Sequence, residues 1–170
     1  MGDVVDAGCG LRRCIGKGDG VIAAQSFAVG DTVLPGVILR RIAQNHSHAT
    51  QVGPAEWVEL AGLAPKVNHS CDPNCGVQMN ASGAPDLVAR RPIPTGEEIT
   101  FDYAMRNYTI DHFPIRCRCG TRICRRRITG WKDLPGDRKL AYLGLVAPYL
   151  IEMTALIGWE KRAQKGVGSS

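Results

Sequence analysis

Short apolar runs, each cut off by glycine, proline or a polar cluster, fill most of this chain, and helical spacing emerges only towards its end. Gly16-Lys17-Gly18-Asp19-Gly20 runs into Val21-Ile22-Ala23-Ala24, a tight turn feeding a strand. Val29-Gly30-Asp31-Thr32 has the composition of a hairpin turn. Thr32-Val33-Leu34 and Val37-Ile38-Leu39 read as strands split by Pro35-Gly36. Val77-Gln78-Met79 and Leu87-Val88-Ala89-Arg90 pair as a hairpin across residues 80–85, and residues 99–103 form a further strand. Residues 1–16 are glycine-rich and carry no readable period. Residues 44–51 form a polar loop. Residues 54–60 predict a short helix, with Pro54 at its first position and acids in its first turn. Residues 138–145 and 148–162 show helical spacing, with Leu150, Met153, Ala155, Leu156, Ile157 and Trp159 as an apolar face, and 166–170 read as a flexible tail. The pattern predicts an α+β, mostly β, domain. A Rossmann fold is excluded by context, because Gly18-x-Gly20 precedes a strand instead of following one and opening a helix.

Length and composition add bounds. With 170 residues and 44% hydrophobic residues, the chain suits a single domain with a real core. It has no uninterrupted apolar run of the ~18 residues that a membrane helix needs. Its acidic start, Met1-Gly2-Asp3-Val4-Val5-Asp6, suggests neither secretion nor lipidation. Seven cysteines, an odd number, argue against a closed disulfide framework and for a reducing compartment. The expected setting is intracellular: cytoplasmic, or nuclear in a eukaryote. The net charge of +5 is uneven: Arg116, Arg118, Arg122, Arg125, Arg126 and Arg127 crowd one short stretch. Without interleaved aromatic residues this reads as a solvated rim and not as a nucleic-acid surface.

The same stretch carries Cys117-x-Cys119-x4-Cys124, three soft ligands from one loop, with Gly120 allowing a tight turn. Structural zinc takes four ligands in a tetrahedron, so a fourth must come from elsewhere. Cys71, Cys75, Cys9, Cys14 and His112 are the candidates. Upstream lie a polar knot of residues, Asn68-His69-Ser70-Cys71-Asp72-Pro73-Asn74-Cys75, and then Gly96-Glu97-Glu98-Ile99-Thr100-Phe101-Asp102-Tyr103.

These three motifs, in this order, resemble the SET-domain lysine methyltransferases: a stand-alone SET domain followed by a post-SET zinc-binding cysteine motif. The resemblance covers residues 14–131. It implies a SET fold of small β-sheets with a knot-like substructure, a post-SET zinc loop and C-terminal helices. The implied division is a SET domain over 14–113, the zinc loop over 114–131, and a helical extension with tail over 132–170. The implied activity is N-methylation of a protein lysine by S-adenosylmethionine, with one structural Zn2+.

The resemblance also assigns roles. Cys71 joins Cys117, Cys119 and Cys124 around the metal. Asn68 and His69 hold the adenine and amino-acid ends of S-adenosylmethionine. Gly18, Asp19 and Gly20 lie against its methionine part, and Lys17 adds a charge towards the carboxylate. Tyr103 contacts the cofactor and serves catalysis. A phenol can orient the amine and touch the sulfonium methyl, while desolvation and the nearby cation keep the lysine neutral. Phe101, expected on the same strand face as Tyr103, stands where phenylalanine leaves room for di- or trimethylation. Trp131 covers the adenine, walls the lysine channel, or only packs. The chain departs from the family at Leu34-Pro35-Gly36, where Tyr-x-Gly is usual, so Leu34 replaces a channel tyrosine. The segment after residue 37 is also short for a substrate-selecting insert. These departures motivate an alternative, a SET-fold enzyme acting on a small-molecule amine or on S-adenosylmethionine itself. A catalytically silent zinc-containing interaction module is the third reading. The expected partner is a lysine-bearing protein, with no membrane and no nucleic acid, and a homodimer through the C-terminal helices.

Overall fold

The computed structural model describes residues 5–14, 18–46, 48–111 and 116–167, the backbone alone at 5, 6, 14 and 158–167. Among these the strands are β1 (Val5–Asp6), β2 (Cys9–Cys14), β3 (Gly18–Ala23), β4 (Thr32–Leu34), β5 (Ile38–Ile42), β6 (Thr50–Gly53), β7 (Glu56–Leu60), β8 (Asn68–His69), β9 (Cys75–Met79), β10 (Pro85–Ala89) and β11 (Glu98–Phe101). The helices are α1 (Gly136–Ala141) and α2 (Pro148–Val167).

Three small sheets share the chain, in strand orders β1-β2-β3-β11-β8, β4-β10-β9 and β5-β7-β6. The glycine-rich start, which shows no period in sequence, pairs antiparallel with β3, from Cys9 opposite Ala23 to Cys14 opposite Gly18. Its outer residues Leu11, Arg12 and Arg13 are exposed, so backbone pairing and not a buried face defines it. The β9–β10 hairpin follows the sequence reading. The Asn80 side-chain oxygen accepts from the Ser82 and Ala84 amides at 3.0 and 3.1 Å, and Gly83 takes φ +78°, which closes the turn.

Residues 54–60 are not a helix. Pro54 and Ala55 form the turn of a hairpin, and residues 56–60 are strand β7. Val58 and Leu60 are buried on one face of it, a period of two that outweighs the proline cue. Across β5, Arg40 and Arg41 meet Glu59 and Glu56 at 2.8 and 2.7 Å.

The main core lies under the first two sheets and is completed from the far end of the chain. Tyr142, Ala147 and Leu150 are 1%, 0% and 0% exposed within it. Val77 donates to the Leu145 carbonyl and Ala147 to the Met105 carbonyl, both at 2.9 Å. Of the apolar face expected on α2, Leu150 is buried and Met153 packs partly, Leu156 is 62% exposed, and the Trp159 side chain lies outside the described residues, so the described contacts of the helix come from its first turns. No helix among the described residues is long and apolar enough to cross a membrane.

Candidate active site

The Asn68–Asn74 segment is built into β11 by a dense set of bonds. β8 runs parallel to it, Asn68 opposite Thr100 and His69 opposite Phe101, and residues 70–97 make the crossover that a parallel pair needs. The buried Asn74 amide locks the return: it donates to the Glu98 carbonyl at 2.8 Å and accepts from the Thr100 amide at 2.8 Å. Asn68 donates to the Asp19 carbonyl at 3.1 Å and to Glu98 Oε1 at 2.9 Å, which ties the Gly-x-Gly strand to the same edge.

Beside this edge opens a cavity of about 270 Å³ lined by Asp19, Lys66, Asn68, Tyr103 and Arg106, together with residues 48–50, 64, 65 and 67. Tyr103 reaches it in an unexpected way. The strand stops at Phe101, and Asp102 caps a 3-10 turn over Tyr103–Met105 by accepting from the Ala104 amide at 3.1 Å. Tyr103 is therefore not a strand residue sharing a face with Phe101, yet the turn still brings the two rings to 5.1 Å between centroids. The Tyr103 hydroxyl donates to the Val67 carbonyl at 3.2 Å, and burial pushes its pKa up, so it stays a neutral phenol.

His69 lies between Tyr103 and the cysteines. Its Nδ1 accepts from the Tyr103 amide at 3.2 Å, and its Nε2 is 3.5 Å from Cys71 Sγ. The ring stands edge-on to Tyr103. With Nδ1 as acceptor, the hydrogen of a neutral ring sits on Nε2 and faces the sulfur.

Cys71, Cys117, Cys119 and Cys124 bring their sulfurs within 4.8 Å of one another. Four thiols in so small a volume suit a tetrahedral structural zinc site. Cys9 and Cys75 are buried in the main core instead; the Cys14 side chain and His112 lie outside the described residues. Gly120 turns the loop at φ +75°. The Arg125 and Arg126 amides point at Cys71 and Cys124 sulfur, each at 3.4 Å. Burial pushes the Cys71 thiol up to about 11 and raises Cys117 as well. At Cys119 burial opposes ionisation, but hydrogen bonds led by the Thr121 hydroxyl outweigh it and bring the thiol down to about 6.

Several residues of this architecture escaped the sequence reading. Asp102, fully buried, receives the Arg125 guanidinium and the Tyr142 hydroxyl, the latter at 3.0 Å. The Tyr149 hydroxyl lies 2.5 and 2.8 Å from the Arg106 and Gln51 carbonyl oxygens, which share its one hydrogen. Lys66 and Arg106 line the cavity. Their only signal was position, two residues before Asn68 and three after Tyr103.

Other expected site residues lie elsewhere. Leu34, 1% exposed, packs in the main core. Phe101 is buried behind Tyr103. Trp131 is 3% exposed; its indole N–H donates to Thr154 Oγ1 at 3.0 Å and Lys139 lies 5.4 Å from its ring, the packing alternative. Gly18 opens β3 at φ +82° and Gly20 is buried within it, both flanking Asp19 without lining the cavity. Lys17 lies outside the described residues. Arg116, Arg118, Arg122, Arg126 and Arg127 are exposed around the cysteine loop.

The chain belongs to the SET domain family, whose model matches residues 18–104. It is 30% identical over 93% of its length to "Histone-lysine N-methyltransferase, H3 lysine-36 specific" of Mycosarcoma maydis, of which the match covers 17%. It is 38% identical over 38% of its length to "Histone-lysine N-methyltransferase 2D" of Homo sapiens, covering 1% of that protein. The chain thus spans a small part of the curated relatives it matches. Among solved structures, KRYPTONITE in complex with mCHH DNA, H3(1-15) peptide and SAH superposes with a TM-score of 0.54 at 29% identity, over 69% of this chain and 29% of that one. The fold is the SET-domain fold, mostly β with few helices, with a cysteine cluster able to hold one zinc ion.

Proposed function

We propose that this chain is an S-adenosylmethionine-dependent protein-lysine N-methyltransferase. The observation that carries this reading is the convergence of Asp19, Asn68 and the Tyr103 phenol on one cavity, with His69 linking the phenol's turn to the cysteine cluster. The named activities of the relatives, and the SAH and H3 peptide bound by KRYPTONITE, support it.

S-adenosylmethionine, when bound, supplies an electrophilic methyl group on a sulfonium. The chain's own residues then hold and orient. Asp19 and Asn68 offer polar groups to the cavity, with Lys17, Gly18 and Gly20 beside Asp19 in sequence and His69, next to Asn68, holding the Tyr103 amide. Tyr103, its hydroxyl proton engaged by Val67, presents oxygen lone pairs to an incoming amine. Burial around that phenol disfavours an ammonium and so keeps the nucleophilic nitrogen neutral. Phe101, behind Tyr103, offers no hydroxyl to restrain the amine, which favours di- or trimethylation. Cys71, Cys117, Cys119 and Cys124 would hold one structural Zn2+, which would pin the 116–127 loop to the segment that carries Asn68 and His69. Trp131 packs in the main core and ties it to α2 through its indole N–H on Thr154.

The finer partner readings follow. The substrate is a lysine-bearing protein in an intracellular setting, cytoplasmic, or nuclear in a eukaryotic cell. Exposed Leu140, Leu143 and Leu156 give a homodimer an apolar contact to use, and sedimentation at micromolar concentration tests it. A small-molecule amine as acceptor is favoured by one observation: the core, not the cavity, takes up Leu34, so no tyrosine narrows the amine channel there.

The deciding experiment supplies methyl-labelled S-adenosylmethionine to the zinc-loaded chain with an H3 peptide, a protein lysate and a metabolite extract. Label on protein lysine supports the reading. Turnover with the extract but no protein label shifts it to the small amine, and no turnover or binding leaves a silent zinc module.

A further inference from the structure

Arg106 is a buried cation that has no counterion among the described residues. The residue is 9% exposed, and its guanidinium lies 4.9 Å from the Phe101 ring centre. Among the described residues it meets no carboxylate, and its Nε is buried without a hydrogen-bond partner. The contrast with other arginines is sharp: Arg40, Arg41, Arg91 and Arg125 each meet an acid. Burial pushes the Arg106 guanidinium below its ordinary value, with only the Tyr149 and Tyr103 phenols acting the other way. Guanidinium does not lose its proton in proteins, so the charge persists and calls for an anion.

The backbone holds this charge in place. The Arg106 carbonyl accepts from the Tyr149 hydroxyl at 2.5 Å, its amide donates to the Tyr103 carbonyl at 3.2 Å, and the preceding Met105 carbonyl accepts from Ala147 at 2.9 Å. The stacked Phe101 ring covers one face of the guanidinium. What remains open is the cavity shared with Asp19, Asn68 and Tyr103.

We propose that Arg106 anchors the carboxylate at the amino-acid end of S-adenosylmethionine. This rests on the cofactor reading above. An acceptor lysine is a cation before it loses its proton and would be repelled by an unpaired guanidinium. The cofactor's one anionic group is its carboxylate, and a guanidinium binds a carboxylate through paired N–H donors. Lys66 lines the same cavity but is exposed, so water screens its charge.

Calorimetry on the zinc-loaded chain tests this without turnover, using S-adenosylhomocysteine and its decarboxylated analogue. The wild type should prefer the carboxylate-bearing ligand by on the order of 10- to 100-fold. In Arg106→Met the preference should shrink to about threefold or less, mainly by loss of affinity for S-adenosylhomocysteine, whereas Lys66→Met should keep most of it. Arg106→Lys should restore part of it. A wild type that binds both ligands within about twofold overturns the proposal without any variant. So does an Arg106→Met protein, folded by near-ultraviolet circular dichroism, that keeps the full preference. A wild type that binds neither ligand sinks the cofactor reading itself, a result distinct from either.

Discussion

The Arg125 guanidinium meets the Asp102 carboxylate at 2.7 Å, with 13% and 0% of the two side chains exposed. Arg125 follows the last cysteine of the metal cluster, and Asp102 caps the turn that begins at Tyr103. One buried ion pair therefore joins the cysteine loop to the candidate catalytic turn. Removing one partner of such a pair strands the other charge in a medium that solvates it poorly. Arg125→Met should cost about 3 kcal/mol, at the low end for a broken buried pair. Urea unfolding of the zinc-loaded protein reads this directly. A loss under about 1 kcal/mol would show that Tyr142 and the Ala104 amide suffice for Asp102.

The cysteine cluster predicts a pH dependence of metal uptake. In the metal-free chain Cys71 titrates near 11 and Cys117 is raised too, so both carry protons at neutral pH, whereas Cys119, near 6, is already ionised. Zinc takes thiolates, so binding expels the protons of Cys71 and Cys117, and affinity must climb as pH rises. Between pH 7 and 9 the apparent association constant should increase with a slope of at least about two log units per pH unit. Competition against a chromophoric chelator measures this, and a flat profile would contradict the four-thiol site. Stripping the metal should also loosen the 116–127 loop and abolish cofactor retention.

Tyr103→Phe removes the hydroxyl and its bond to the Val67 carbonyl while leaving the ring packed against Phe101 and His69. Turnover should fall by about 100-fold or more, the scale on which a positioned polar group acts in a transition state. The dissociation constant for S-adenosylhomocysteine should change by no more than about threefold. Single-turnover kinetics with calorimetry separates the two. Near-normal turnover removes Tyr103 from the catalytic role.

How much of this was legible beforehand differs from residue to residue. The β9–β10 hairpin was, because Asn80 and Gly83 carry their turn chemistry locally. So were Cys117, Cys119 and Cys124, whose spacing is a local pattern, whereas Cys71 stood among five candidates and was singled out by the family resemblance alone. The helix expected over 54–60 failed because a proline at the first helical position and a proline in a hairpin turn look alike, and only the pairing of β7 with β5 and β6 decides between them. Tyr103 does line the cavity, but its 3-10 turn was not foreseen, because it depends on the Asp102 cap. Arg106, Tyr142 and Tyr149 were out of reach altogether, and Arg125, read with the solvated arginine rim, is instead largely buried against Asp102. Their partners lie 23 or more residues away along the chain, or, for Arg106, in an unpaired state that only burial reveals.

Phe101→Tyr places a hydroxyl beside Tyr103, in a region where Phe101 is 1% exposed. A buried hydroxyl seeks a partner, and an acceptor amine or its water supplies one. Intact-mass analysis of a methylated peptide should shift from di- and trimethyl towards monomethyl product, with a stability loss of about 1–2 kcal/mol for the added volume and polarity. An unchanged product distribution would free Phe101 from any part in methylation state.

Residues 134–150 lie beyond the matched family segment, yet they reach the turn that holds Tyr103. Tyr142 donates to Asp102, Ala147 to the Met105 carbonyl and Tyr149 to the Arg106 carbonyl. If these contacts position the turn, Tyr142→Phe and Tyr149→Phe should lower turnover by a larger factor than they weaken cofactor binding. Each should cost about 1–2 kcal/mol of stability from a lost buried hydrogen bond. The split between kcat and the cofactor dissociation constant is what separates positioning from support. A purely supportive tyrosine would lower the unfolding midpoint while leaving kcat intact below that temperature. A protein shortened after residue 133 should lose both activity and its cooperative unfolding transition, because Tyr142 and Leu150 complete the main core. Retention of a sharp transition by that shortened chain would show that the β-sheets fold without this segment.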